Sequence, residues 1–132
     1  MIQTILFPTD FTETSGRAGQ YAEYLAWVSG ARVVVVHAVA PVLLPGTEED
    51  SELQDFSKDL EAKAGSKIEA IVESFRRAGV AVVGKVVLGP SFETLVSVAR
   101  DEAANLIVMG SHRLEPGSEP AVGTLSHRVF FF

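Results

Sequence analysis

The sequence contains no cysteine, and its 11 basic residues are outnumbered by 17 acidic ones. The missing cysteines exclude disulfides, thiolate metal sites and thiol catalysis, and they fit a reducing cytoplasm. The net charge of −6 argues against nucleic acid or an anionic membrane as the main partner, because both are bound by basic surfaces. No apolar run approaches the ~18 residues of a membrane helix, and no basic leader follows Met1. We therefore expect a cytoplasmic protein that binds neither nucleic acid nor membrane.

The composition that remains supports one globular domain over residues 1–132. Apolar residues make up 47% of the chain, which is enough for a single core. Short apolar segments, typical of buried strands, alternate with longer segments of helical periodicity. Strands are predicted at 2–9, 32–40, 80–88 and 106–109. Helices are predicted at 13–29, at 51–78, from Pro90 and from about Gly123.

Single residues mark the ends of these helices. Thr12 or a neighbour is expected to cap the first helix, and Gly30 to end it. Gly79 is expected to end the second helix, which Gly65 is expected to weaken or bend. Pro90 suits the first position of the third helix, where a missing N–H costs nothing. The residues predicted to form the buried face of the first helix are Ala18, Tyr21, Ala22 and Leu25.

The alternation of strands and helices predicts an α/β fold. Crossover helices between parallel strands cover both faces of the sheet and give a three-layer α/β/α arrangement. Ligands of such open sheets bind beyond the carboxyl ends of the strands, where the strand order reverses. Three predicted strand ends carry notable residues: Pro8-Thr9-Asp10 after the first strand, His37-Ala38-Val39 after the second, and Gly110 onward after the fourth.

The segment after the fourth strand has the features of a phosphate cradle. Gly110 opens a loop with glycine and proline, and Gly123-Thr124 begin a helix. Glycines let the backbone approach an anion, amide N–H groups point at it, and the helix N-terminus adds partial positive charge. The plain alternative is a Gly-Thr helix cap. Neither a Walker A motif nor a dinucleotide-binding glycine pattern is present.

Few side chains suggest catalysis. The carboxylate of Asp10 can accept a hydrogen bond from a ribose hydroxyl or an adenine amine, or it can serve only as a turn or capping residue. The spacing of His37, His112 and His127 matches no common zinc ligand set, so no metal site is predicted. The serines lack the context of an activated nucleophile. We therefore expect no catalytic residues and no enzyme.

Several stretches resemble one family, in the same order and at similar distances. They are Ile-Leu-Phe-Pro-Thr-Asp-Phe-Thr-Glu at 5–13, Val-Val-Val-His-Ala at 34–38, Leu-Gly-Pro at 88–90, and Asn-Leu-Ile-Val-Met-Gly-Ser-His at 105–112. Together they resemble the universal stress protein family over essentially the whole chain, with Asn105 where an aspartate is usual. The resemblance implies the adenine-nucleotide alpha-hydrolase-like fold, with a parallel sheet in the order 3-2-1-4-5. It also implies ATP or AMP binding, with Mg²⁺ only alongside the nucleotide, and a role in stress response.

The resemblance also implies a nucleotide site. Members that bind ATP carry glycine, two residues, glycine, nine residues, then glycine with serine or threonine. Gly110 and Gly123-Thr124 match the ends of this pattern, whereas Arg113 replaces the middle glycine. Asp10 and the backbone near Ala38 would hold the adenosine, and the loop would hold the phosphates and ribose. The implied nucleotide-binding residues are Pro8, Thr9, Asp10, Ala38, Gly110, Ser111, His112, Arg113, Gly123, Thr124 and Leu125.

Departures in the loop leave two functions open. Arg113 either fills the phosphate site or reaches a phosphate with its guanidinium. Glu115 and Glu119 add negative charge that opposes an anionic ligand. One function is an adenine-nucleotide-binding regulatory module with at most slow ATP hydrolysis. The alternative is a nucleotide-independent, dimeric interaction or chaperone-like protein.

The end of the sequence suggests self-association. Family members continue into a fifth strand that pairs across a dimer, whereas this sequence stops at Phe132. Either the protein lacks this strand or its sequence is cut short, and we expect the sheet of this chain to be without the fifth strand. A partner chain or a rearranged segment would then cover the edge of the fourth strand or the apolar tail 130–132. The expected assembly is a homodimer.

Overall fold

The computed structural model describes residues 1–39 and 51–110. The chain alternates strands and helices in the order β1 (Thr4–Pro8), α1 (Glu13–Ser29), β2 (Arg32–Val39), α2 (Ser51–Arg77), β3 (Val82–Leu88), α3 (Ser91–Asp101) and β4 (Leu106–Ile107). All strand pairs are parallel, and the sheet order is β3-β2-β1-β4. This confirms the predicted fold class and strand order. The loop at 41–50, the helix expected from Gly123, the fifth strand and the apolar tail lie outside the described residues.

Strand β1 lies at the centre of two separate cores. Ile5 and Phe7 face the layer of α1 and α2, while Leu6 faces α3. The register continues this alternation into β2, where Ile5 pairs with Val33 and Leu6 with Val34. Helices therefore cover both faces of these central strands, which explains why the valine run of β2 shows no polar alternation.

The ends of α1 follow the expected local chemistry. Thr12 has extended backbone angles, and its hydroxyl accepts a hydrogen bond from the Ser15 N–H at 3.2 Å. Gly30 has a φ of 74° and donates its N–H to the Ala26 carbonyl at 2.8 Å. The predicted N-cap and C-terminal glycine are both confirmed.

The buried face of α1 is built from small residues. Ala18, Ala22 and Ala26 lie against the sheet, and they let the helix backbone approach it closely. A Cβ on Gly19 would lie 3.0 Å from the ring of Phe7, so that position has little room for a side chain. The prediction that Tyr21 is buried is wrong, because its side chain is 69% exposed. The periodicity of apolar residues did not separate this large side chain from the small ones that fit against the sheet.

Several predicted boundaries also shift. Strand β3 begins at Val82 rather than residue 80, β1 begins at Thr4 rather than residue 2, and β4 is limited to Leu106–Ile107. Pro90 caps α3 with extended ψ instead of forming its first turn. Helix α2 continues through Gly65 without interruption.

Asn105 joins the beginnings of β1 and β4. Its side-chain Oδ1 accepts hydrogen bonds from the backbone N–H of Gln3 at 2.7 Å and of Thr4 at 3.0 Å. Its own N–H donates to the Thr4 carbonyl at 2.9 Å. An amide oxygen can accept both bonds, so asparagine keeps an acceptor where an aspartate is usual in the resembling family.

Glu102, directly after α3, contacts two neighbouring strands through ion pairs. Its carboxylate lies 2.7 Å from Arg32 on β2 and 2.5 Å from Lys85 on β3. The hydrogen bond from Lys85, followed by that from Arg32, holds the pKa of Glu102 below its ordinary value, against the opposing effect of desolvation. The cluster therefore links α3 to two strands through charge.

Two glycines provide a matched test of the packing of α2. A Cβ on Gly84 would lie 2.8 Å from Val72 and closer still to Ile68, whereas a Cβ on Gly65 meets nothing within 4 Å. We expect Gly84→Ala to lower the free energy of unfolding by about 1–3 kcal/mol through overpacking. We expect Gly65→Ala to raise it by up to ~1 kcal/mol through helix propensity. Urea unfolding followed by far-ultraviolet circular dichroism measures both, and a Gly84→Ala variant as stable as the wild type would contradict the packing.

The charge cluster at Glu102 predicts a pH dependence. A carboxyl group with a lowered folded-state pKa contributes stability above its unfolded pKa and loses it as the pH falls through the folded pKa. We therefore expect Glu102→Gln to lower the free energy of unfolding at neutral pH, with the difference shrinking below pH ~4.3. Glu73→Gln, which breaks only exposed ion pairs on α2, is the control. A difference between wild type and Glu102→Gln that does not change with pH would refute the assignment.

Candidate functional site

The carboxyl ends of β1, β2 and β4 lie side by side, and we call this end of the sheet the carboxyl edge. The N–H of Thr9 donates to the Val36 carbonyl at 2.9 Å, and the N–H of Val108 donates to the Leu6 carbonyl at 2.9 Å. The chain crosses from β1 to β2 through α1 on one face and reaches β4 through α3 on the other. The strand order therefore reverses between β1 and β4, which is where open sheets of this kind form a crevice.

The turn after β1 holds Asp10 at this crevice. The Oδ1 atom of Asp10 accepts hydrogen bonds from the N–H of Thr12 at 3.0 Å and from its hydroxyl at 2.5 Å. Asp10 itself is exposed at the edge of the sheet. The turn role considered from the sequence is confirmed, and this role also fixes where the carboxylate stands.

A buried hydroxyl pair supports the same turn from below. Thr9 and Ser15 are both buried, and the Ser15 hydroxyl lies 2.6 Å from the Thr9 hydroxyl oxygen. The Thr9 hydroxyl oxygen also accepts the N–H of Phe11 at 3.1 Å. The end of β1 is thus tied to the first turn of α1, and its backbone has little freedom to move.

Phe11 adopts an unusual backbone conformation. Its φ is 65°, in the left-handed region that disfavours side chains with a Cβ. Its ring lies 4.4 Å, centroid to centroid, from the imidazole of His37, and the Lys67 ammonium lies 5.2 Å from its centroid. These contacts hold the ring in place despite the backbone strain.

His37 has a structural role at this edge. Its Nδ1 lies 2.7 Å from the Thr9 carbonyl oxygen. Because that oxygen can only accept, Nδ1 carries the proton. Within residues 1–39 and 51–110, no group of three or more metal-binding side chains comes together.

The backbone of Ala38 faces the crevice. The N–H of Val33 donates to the Ala81 carbonyl and the carbonyl of Val39 accepts from the Gly89 N–H, both on the β3 side, whereas the Val36 carbonyl accepts from Thr9 on the β1 side. Alternation along a parallel strand places the N–H and C=O of Ala38 on the β1 side as well. Strand pairing between β1 and β2 ends at Pro8 and Val36, so these groups lie beyond the last paired residues.

Gly110 brings the end of β4 close to α1. A Cβ at this position would lie 2.9 Å from the Thr14 carbonyl oxygen and 3.1 Å from the Ser15 nitrogen. Glycine is therefore required by close approach to the first turn of α1. The first glycine of the predicted nucleotide pattern has a packing reason that does not depend on a ligand.

The described structure brings five of the predicted site residues to one edge: Pro8, Thr9, Asp10, Ala38 and Gly110. The other predicted residues lie outside the described residues: Ser111, His112, Arg113, Gly123, Thr124 and Leu125. Their roles stay predictions.

Three further residues contribute to this region and were not predicted from the sequence: Phe11, Ser15 and Lys67. The side of Phe11 that meets Lys67 also lines a groove of about 560 Å³ between α1 and α2. Nothing in the local sequence marks a phenylalanine for positive φ. The hydroxyl pair had a signal in the sequence: Thr9 ends a strand, and Ser15 lies in the first turn of the helix that follows.

The strain at Phe11 gives a direct prediction. Both Phe11→Ala and Phe11→Gly remove the ring contacts with His37 and Lys67, but only glycine relieves the left-handed backbone. We expect Phe11→Gly to be more stable than Phe11→Ala by about 1 kcal/mol. Urea unfolding of the two variants side by side measures the difference. Equal stability would show that the backbone at this position is not left-handed.

Comparison with known proteins agrees with this architecture. The universal stress protein MJ0577 of Methanocaldococcus jannaschii is 27% identical over 143 residues, which cover 98% of this chain and 88% of that protein. A universal stress protein of Thermus aquaticus is 30% identical over 131 residues, covering 98% of this chain and 91% of that protein.

Solved structures show the same fold. The structure of MJ0577 superposes with a TM-score of 0.76, covering 99% of this chain and 90% of that one at 27% identity. A universal stress protein in complex with cAMP has a TM-score of 0.71 and 22% identity, covering 98% of this chain and 89% of that one. The universal stress protein family itself matches residues 1–130. This chain therefore belongs to the universal stress protein family.

Proposed function

We propose that this protein is an adenine-nucleotide-binding module with a regulatory role in stress response. The observation that carries the proposal is the crevice at the carboxyl ends of β1 and β4. There the carboxylate of Asp10, the outward backbone of Ala38 and the close approach of Gly110 converge. Family membership and a relative solved with cAMP support a nucleotide as the ligand.

The described residues suit the adenosine part of such a ligand. Adenine presents an amine donor next to a ring acceptor, and the C=O and N–H of Ala38 offer the complementary pair. The exposed carboxylate of Asp10 is an acceptor for ribose hydroxyls. Because its turn is fixed by Thr9 and Thr12, little ordering is required when the ligand binds.

The phosphates would be held by the segment that contains Arg113 and Gly123-Thr124. We propose ATP or AMP as the nucleotide, with Mg²⁺ entering only with it. Within the described part of this edge, Asp10 is engaged with Thr12 and His37 with the Thr9 carbonyl. We therefore expect any ATP hydrolysis to be slow, because these residues supply no free acid and base pair.

A second candidate function is a nucleotide-independent interaction module. An exposed aromatic surface on α1, with Tyr21 and Trp27 each 69% exposed, favours it. Within the described sheet β4 is an edge strand, as a dimer that pairs strands would require. We infer a homodimer for either function, and a cytoplasmic location from the cysteine-free composition. In the described part of the chain, no helix has the length and apolar character to cross a membrane.

Calorimetry with ATP, AMP and adenosine tests the nucleotide proposal. We expect Asp10→Ala to weaken binding about tenfold or more, since a hydrogen bond to a charged group is worth about 1.5–3 kcal/mol. Asp10→Asn keeps the oxygen that accepts from Thr12, and we expect it to lose less. Asp101→Ala, which removes an exposed aspartate at the opposite edge of the sheet, is the matched control.

The outcomes separate the two candidate functions. Absence of binding to all three ligands would sink the nucleotide proposal, whereas binding that survives Asp10→Ala would place the ligand elsewhere. Arg113→Gly measures the effect of the loop: a gain specific to ATP indicates that the arginine fills the phosphate site. A loss specific to ATP indicates that the guanidinium contacts a phosphate.

A further inference from the structure

The outer face of α1 carries the exposed tyrosines and tryptophan of the described residues. Tyr21 is 69% exposed, Tyr24 62% and Trp27 69%, and the adjacent Val28 is 53% exposed. The sequence has one tryptophan and two tyrosines, so every one of them lies on this face. A cluster of this kind on a surface helix marks an interaction site, because Trp and Tyr dominate binding energy at interfaces. We call these four residues the α1 aromatic face.

Three residues of the α1 aromatic face, together with Arg17, have the spacing of a helix-pairing seam. Arg17, Tyr21, Tyr24 and Val28 follow one another at intervals of four, three and four residues. This is the interval of a and d positions in a coiled coil, and it keeps the side chains on one line along the helix. The seam lies opposite Ala18, Ala22 and Ala26, which face the sheet. The helix can therefore pack on a partner without disturbing its contacts with the core.

The seam is complementary to itself in the antiparallel direction. A two-fold axis next to Tyr24 places Tyr21 of one copy beside Val28 of the other and brings the two Tyr24 side chains together. Clefts flank Tyr24 on both sides, one lined by Arg17 and Tyr21 and one by Trp27 and Ala78. Such clefts can receive the side-chain ridges of a second helix. An isologous contact of this kind needs no second protein species.

The position of Arg17 suits the same arrangement. The charged residues of α1 are Glu13, Arg17 and Glu23, and its last turn contains no basic side chain. The C-terminal end of a helix carries partial negative charge. Antiparallel pairing brings Arg17 of one copy close to this end of the other. The exposed pair of Arg17 with Glu13 at 3.0 Å contributes little and leaves the guanidinium able to turn.

The available area indicates a modest interface. A fully covered aromatic side chain buries roughly 150–250 Å², so three that are about two-thirds exposed offer roughly 300–500 Å² per protomer. The pair then buries roughly 600–1,000 Å², and the contributions of Val28 and Arg17 bring it near the lower limit for specific complexes. The contact should therefore form and dissociate with protein concentration.

We propose that the α1 aromatic face is a self-association surface, on which α1 of one copy packs antiparallel against α1 of a second copy. The surface is separate from the nucleotide crevice, because it points away from the sheet. Nucleotide binding and self-association are therefore independently testable.

Sedimentation velocity from dilute to near-millimolar protein tests the proposal with a matched pair of variants. Val28→Glu places a charge in the seam, whereas Val83→Glu makes the same change at a 45% exposed valine on β3. We expect Val28→Glu to weaken one association step about tenfold or more, and Val83→Glu to leave it unchanged. Trp27, the single tryptophan, gives a second readout, since its fluorescence emission should shift to the blue as the wild type associates.

Each outcome decides the proposal. A wild-type dimer that becomes monomeric, or a tetramer that becomes dimeric, in Val28→Glu alone supports it. A wild type that is monomeric throughout overturns it, as does an association unaffected by Val28→Glu or equally weakened by Val83→Glu. Circular dichroism of both variants confirms that the fold is kept, as expected for exposed positions. Unchanged ATP calorimetry in Val28→Glu separates this result from the nucleotide proposal.

Discussion

The burial of β1 on both faces is the constraint on which the rest of the structure depends. Every residue of Thr4–Pro8 is buried, and successive side chains enter different cores. Ile5 and Phe7 are covered by the helices before and after β2, while Leu6 is covered by α3. Three helices thus pack against a single five-residue strand, and this packing fixes the positions of both ends of the strand.

The candidate site is built on the carboxyl end of this strand. Because Pro8 and Thr9 are held by the core below them, the turn at Asp10 and Phe11 can carry a strained backbone. The hydroxyls of Thr9 and Ser15 satisfy each other inside the protein, which leaves Asp10 to face outward. Gly110 completes the edge by approaching α1 more closely than any other residue type allows. A rigid strand end that presents a few polar groups suits the binding of a small polar ligand.

Much of the fold could be predicted from the sequence because its signals are local. Apolar runs, helical periodicity and single residues such as Thr12, Gly30 and Gly79 determine element type and boundaries within a few residues. The strand order came from the family resemblance. The exposure of single side chains was harder to predict. Tyr21 fits the same helical periodicity as the neighbouring alanines, but the space between α1 and the sheet accommodates only the small side chains.

The site could be predicted only in part for the same reason. Asp10 and Ala38 were located by their positions at strand ends, which topology alone places together. The left-handed Phe11 depends on contacts with His37 and Lys67, which are distant in sequence. Gly110 can be required by a bound ligand or by a neighbouring backbone segment. The sequence alone does not distinguish these two causes, whereas the structure shows the neighbouring backbone of α1.

Asn105 has a consequence for how the junction between the beginnings of β1 and β4 responds to acid. The oxygen that accepts hydrogen bonds from the N–H groups of Gln3 and Thr4 belongs to an amide, which gains no proton over the physiological pH range. An aspartate in its place would hold the same N–H groups more strongly when ionised and release them when protonated. The junction between β1 and β4, which borders the reversal of strand order, is therefore insulated from acidification. Acid therefore acts on the charge cluster that links Glu102 to Arg32 and Lys85, and it leaves the amide hydrogen bonds of Asn105 between β1 and β4 unchanged.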